Sequence, residues 1–128
     1  MNYTKHLKPI LRTTLLGLTQ IAMAGEVTLP DFDCENKTIA VYRPGPRWTD
    51  LSQSIETHMI YIAEKLNSKL IESAGPTLNA LGEPDGGISL YNSNNFDLVK
   101  ESVENDPLIK NRISNYELKT WRICNLKQ

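Results

Sequence analysis

Histidine, cysteine and long apolar runs are scarce in this chain, and each scarcity removes a class of function. Its 128 residues include two cysteines, Cys34 and Cys124, and two histidines, His6 and His58. No His/Cys cluster has metal-ligand spacing, and there is no CxxC redox pair, zinc knuckle or CxxCH haem attachment. No Gly-rich phosphate loop follows a strand, and no GxSxG elbow appears. The expectation is therefore a protein with no bound metal and no other cofactor. The most apolar run, residues 13–22, is too short for a bilayer-spanning helix, which takes about 20 residues. A dense Lys/Arg stripe is missing too, which argues against nucleic acid or an anionic membrane as partner.

What is present fits one domain with a modest core: 40% of residues are hydrophobic and 23% charged. The first 24 residues differ from the rest, since their only charges are Lys5, Lys8 and Arg12. The apolar run and Ala22-Met23-Ala24 follow. A basic start, an apolar middle and a small-x-small site make a secretory signal peptide over residues 1–24. The alternative is an amphipathic N-terminal helix that stays attached. Cleavage after Ala24 leaves 11 basic and 15 acidic residues, a formal charge of −4. Such a protein would be exported, periplasmic or secreted, with no stable membrane insertion once the segment is gone. His58 would then be its only histidine, the one side-chain type that ordinarily titrates near neutrality.

Residues 25–37 are polar, contain Pro30 and show no clear period, which reads as a linker. "TIAVYR" (Thr38 to Arg43) is β-branched and aromatic, hence a strand, ended by Pro44-Gly45-Pro46. Asp50 or Ser52 can cap a helix running to about Leu66. Its apolar residues 55, 59, 62 and 66 share one face, and His58 lies on that same face. "LIESAG" (Leu70 to Gly75) and "GISLY" (Gly87 to Tyr91) are strands, separated by a loop rich in Gly and Pro. In that reading, Gly75-Pro76 and Gly86-Gly87 mark turns. Phe96, Val99 and Val103 have helical spacing. Asp106-Pro107 interrupts this helix, and "PLIKNR" adds a turn with Asp106 as its N-cap. "SNYELKTWRI" (Ser114 to Ile123) is the last strand, with Tyr116 and Leu118 on one face and Trp121 and Ile123 on the other. Residues 125–128 form a C-terminal tail.

The order β-α-β-β-α-β is the split βαβ, or ferredoxin-like, α+β pattern: an antiparallel sheet with two helices on one face. First and last strands are antiparallel neighbours in that fold. Cys34 lies just before the first strand and Cys124 just after the last, so the topology brings them together as a disulfide. The other reading is two free thiols at frayed ends.

"VYRPGPRW" (41–48), "ETHMIYIAEKLNSKLIESAGP" (56–76), "DGGISLY" (85–91) and "ENDPLIKNRISNYELKTWRI" (104–123) resemble successive blocks of the YciI-like (YCII-related) proteins. The resemblance covers a domain at 38–124. It implies a ferredoxin-like domain paired sheet to sheet as a homodimer, the dimeric α+β barrel arrangement. It also implies a pocket with a catalytic histidine and aspartate, which fall on His58 and Asp106. "TLNALGEP" departs from the family's shorter link, and the signal peptide and cysteines are atypical of it.

A carboxylate that accepts one ring N–H fixes the imidazole's tautomer and leaves the other nitrogen to take or give a proton. Each residue also has a plainer explanation: His58 as a core histidine bonded to a carbonyl, and Asp106 as a helix cap. Arg43 and Trp48 flank the "PGP" turn, where an arginine beside an aromatic suits a planar anionic or phenolic ligand. Tyr61, Gly75 and Pro76 are further candidates for binding an unidentified small molecule, although packing and turn chemistry explain them as well. Two functions remain open. One is a small-molecule enzyme, a hydrolase or lyase using the His58–Asp106 pair. The other is a ligand-binding or structural module of the same fold. An uncovered sheet face motivates the dimer, with Tyr42, Ile88, Leu90, Leu118 and Trp121 offering apolar surface to close it.

Overall fold

The structure, a computed structural model, describes residues 27–128. The signal peptide expected at 1–24 lies outside the described residues. Strand β1 (Phe32–Pro44) leads through a short 3-10 turn at Trp48–Asp50 into helix α1 (Leu51–Asn67). Strands β2 (Ile71–Leu78) and β3 (Pro84–Tyr91) follow, then helices α2 (Phe96–Glu104) and α3 (Pro107–Lys110), and strand β4 (Ser114–Leu126). The sheet order is β2-β3-β1-β4, and β3 pairs antiparallel with both β1 and β2. This is the ferredoxin-like α+β arrangement. Among the described residues, no helix is long and apolar enough to cross a membrane.

The described chain divides into two compact units, residues 27–34 with 124–128, and Glu35–Ile123. In the first, a disulfide joins Cys34 to Cys124 across a sequence separation of 90, and the Lys127 N–H donates to the Asp31 carbonyl at 2.9 Å. The stretch expected to be a linker is therefore strand from Phe32 onward, and the expected C-terminal tail is strand as far as Leu126. Neither stretch has an apolar period of its own. Backbone pairing and the disulfide supply the order that local propensity does not.

The second unit holds the core. Thr38, Ala40 and Tyr42 of β1 are buried on one sheet face, as are Ser89 and Tyr91 of β3. Ile71 of β2, Val99 and Val103 of α2, Leu108 of α3, and Ile113 complete the cluster, with Ile62 and Leu66 of α1 packed against it. Each fully buried valine stabilises by about 1.5–3 kcal/mol relative to exposure. The alternate residues Ile39, Val41, Ile88 and Leu90 face the other way, and the register sets Ile39 opposite Leu90 and Val41 opposite Ile88. Of the five residues expected to close an uncovered face, Tyr42 and Leu118 belong to the helix side. Ile88, Leu90 and Trp121 have the opposite parity.

Gly75-Pro76 and Gly86-Gly87 are not turns. They lie inside β2 and β3, with Pro76 opposite Gly87 and Thr77 opposite Gly86. β2 is an edge strand, where a missing N–H breaks no interior ladder. The hairpin turn is shorter than the expected loop. Asn79 organises it, its side-chain oxygen accepting from the N–H groups of Leu81 and Glu83 at 2.9 and 3.0 Å. Asp50 precedes α1 but makes no side-chain cap; its carboxylate accepts from Arg47 Nε at 3.1 Å instead. Asn95 does cap α2, accepting from the Leu98 N–H at 3.1 Å.

Candidate active site

Helix α1 buries little of its apolar stripe. Ser54 is its one fully buried residue, while Ile55 is 37% and Met59 63% exposed. These two, with His58, Ile62 and Leu66, line a cavity of about 440 Å³. The sheet contributes Tyr42, Ala74, Gly87 and Ser89 to the same lining, and Ser114 comes from the start of β4. A mostly apolar cavity of this size suits a small organic molecule.

Asp106 leaves the helical region because proline follows it, and its side chain lies behind His58, which lines the cavity. The residue before a proline avoids the helical region, and Asp106 has φ −65 and ψ 131. Its Oδ1 then accepts the Leu108 N–H at 2.9 Å, capping α3. The carboxylate is fully buried, and two further donors compensate it. The Tyr42 hydroxyl donates to Oδ2 at 2.7 Å. His58 Nδ1 lies 2.8 Å from Oδ1 and 2.9 Å from Oδ2. Burial, and then the negative charge of Asp106, hold the Tyr42 phenol far above its ordinary range, so it remains a donor throughout the neutral range.

This arrangement has a chemical consequence. With Asp106 as acceptor, Nδ1 carries the hydrogen and Nε2 is left with a lone pair. The His58 side chain is 20% exposed, which keeps it accessible to a small molecule in the cavity. Nε2 is thus free to accept a hydrogen bond or a proton, while Tyr42 and Leu108 hold the carboxylate in place. The tilted ring of Tyr42, 6.1 Å from that of His58, packs beside it. Among the described residues, no group of three or more His, Cys, Asp or Glu side chains is placed to hold a metal ion.

The other sequence candidates divide. Trp48, Gly75 and Pro76 line the cavity. Arg43 lies away from it, its guanidinium 3.2 Å from Glu117 and largely in solvent. It follows Tyr42 in a strand, so its side chain leaves by the opposite face. Tyr61 also lies away, donating to the Ser102 carbonyl at 2.8 Å with Lys65 Nζ 4.9 Å from its ring centre. Three residues beyond His58, it meets α2 rather than the cavity. Tyr42, Ser89 and Ser114 were not foreseen as site residues. Strand parity was the available signal for Tyr42, which shares a face with Thr38 and Ala40, and a buried tyrosine hydroxyl needs a partner.

No protein-family model matches the chain, and no curated protein matches it. Among solved structures, the chain is similar to the 5-chloro-2-hydroxyhydroquinone dehydrochlorinase TftG from Burkholderia phenoliruptrix AC1100, in complex with 2,5-dihydroxybenzoquinone. Identity is 25% and the TM-score 0.54, over 66% of this chain and 92% of that one. That enzyme belongs to the YciI-like, dimeric α+β barrel superfamily, so the likeness reaches the same fold group as the sequence blocks.

Proposed function

We propose that this protein is a small-molecule enzyme that moves a proton on a small hydroxylated ring, with His58 Nε2 as acid/base and Asp106 orienting it. The observation that carries this reading is that His58, at the wall of an apolar cavity, is hydrogen-bonded from behind to the buried Asp106 carboxylate. The similar dehydrochlorinase has a ring with oxygen substituents as its bound molecule, and a cavity of about 440 Å³ suits a ring of that kind. In the same reading, residues 1–24 direct export, which agrees with a Cys34–Cys124 disulfide formed in an oxidising compartment. Two chains pair through the open sheet face.

The test is chloride release from 5-chloro-2-hydroxyhydroquinone by the full chain, beside binding of 2,5-dihydroxybenzoquinone. Turnover is expected, with kcat/KM lower by about 10²-fold or more in His58→Ala and in Asp106→Asn. Binding without turnover in the unsubstituted protein would sink the enzyme and leave a ligand-binding module. Turnover that ignores both substitutions would place the chemistry elsewhere.

A further inference from the structure

The cavity is larger than a single ring requires. One benzene ring fits an apolar cavity of about 150 Å³, whereas this one holds about 440 Å³. The surplus has a direction. One rung of the sheet sets Tyr42 of β1 opposite Gly87 of β3, and Gly87 opposite Pro76 of β2, and all three line the cavity. Two strand spacings separate Tyr42 from Pro76, about 10 Å in all. Tyr42, whose ring packs beside His58, is the inner end and is 6% exposed. Gly87, between them, carries no side chain to block the passage. Pro76, on the edge strand, is exposed. Helix α1 shows the same gradient. The His58 side chain is 20% exposed, Met59 is 63% exposed, and Ala63, one turn beyond Met59, is exposed as well. Met59 and Ala63 both line the cavity. The cavity therefore starts at the imidazole and opens between an apolar helix stripe and the edge of the sheet.

We propose that the ring bound at His58 carries an apolar tail on the side away from its hydroxyl, and that the tail runs over Gly87 and leaves between Pro76 and the Met59–Ala63 stripe. The substrate class is then a phenol or quinol with an alkyl substituent rather than a bare hydroxylated ring. This rests on the cavity being the substrate site, as proposed above. A bare ring leaves most of the apolar wall uncovered, and each methylene laid along that wall is removed from water with no polar partner required.

The experiment is calorimetric titration of the full chain with phenol, 4-ethylphenol and 4-butylphenol. The butyl compound should bind at least about 30-fold more tightly than phenol, since each buried methylene is worth about 3–4-fold, and phenol should compete with it for one site. Ala63→Glu and Met59→Glu each put a charge at the mouth, at exposed helical positions where glutamate is a good helix former, and thermal melts confirm that both fold. In each, the ratio of butylphenol to phenol affinity should fall by about 5-fold or more, as though one or two methylenes were no longer buried. A ratio near one in the parent, a ratio that survives both substitutions, or butylphenol binding that phenol does not displace overturns the inference. If His58→Ala still weakens phenol in that case, the cavity remains the site of a bare ring. If none of the three compounds binds the parent, the proposed substrate class fails first and the tail falls with it.

Discussion

At Asp106 the helix cap and the histidine's partner are one carboxylate. Oδ1 closes α3 through the Leu108 N–H while both oxygens face His58 Nδ1. The plainer reading of Asp106, a helix cap, therefore holds beside its bond to His58, because a carboxylate has lone pairs enough for both, whereas His58 bonds this carboxylate and not a backbone carbonyl. Tyr42 binds the whole arrangement to the sheet, and its substitution can be followed through alkaline stability. The folded state holds the phenols of Tyr42 and Tyr91 protonated, chiefly by burial, and Tyr91 is pushed up to about 12. A raised folded pKa contributes stability that is full below the unfolded value, about 10, and is lost as pH rises through the folded value. Urea-unfolding stability should thus stay flat up to about pH 10 and then fall, by as much as 1.4 kcal/mol per pH unit for each such tyrosine. Tyr42→Phe should remove one proton's share of that slope and destabilise by about 1–3 kcal/mol at pH 7, because Asp106 loses a donor. An unchanged alkaline limb would show that Tyr42 ionises as it does in the unfolded chain.

Within the strands, Gly86 and Gly75 look equivalent in sequence, yet they differ physically. Gly86 has φ 153, and a Cβ there would run into the Tyr42 carbonyl oxygen, whereas a Cβ on Gly75 meets nothing within 4 Å. Gly86→Ala should therefore cost about 2 kcal/mol or more, and Gly75→Ala about 0.5 kcal/mol or less, in parallel thermal melts. Equal effects would mean that β1 and β3 are not held as close as Tyr42 opposite Gly87 requires. These glycines also mark what the sequence could not show. Element order, the interrupted second helix and the position of His58 follow from periods and from Asp-Pro, so they were legible. The length of β1 and the pairing of Gly75-Pro76 within an edge strand depend on partners across the sheet. Arg43 and Tyr61 were expected at the site for their chemistry, but one strand step and three helix positions turn them away from it.

At the scale of the whole molecule, the sheet of the Glu35–Ile123 unit has one face under helices and one without. On the second, Ile39, Val41, Ile88 and Leu90 sit around the β1–β3 pairing, with Ile88 40% and Trp121 49% exposed. A second copy applied by a twofold axis would cover this face with the same residues, and the Arg43–Glu117 pair is a polar group at the same face. Ile88 also lines the cavity, so covering the face removes water from part of the site as well. Light scattering should thus find a dimer, and the melting temperature should rise with protein concentration, as dissociation linked to unfolding requires. Trp121→Glu places a charge in that expected contact, at a residue outside the cavity lining, and should yield a folded monomer. That monomer should bind the phenols more weakly than the dimer does, although none of its changed atoms lines the cavity. A monomeric parent at the highest soluble concentration would remove the dimer, and a Trp121→Glu monomer with full affinity would separate the sheet face from the site.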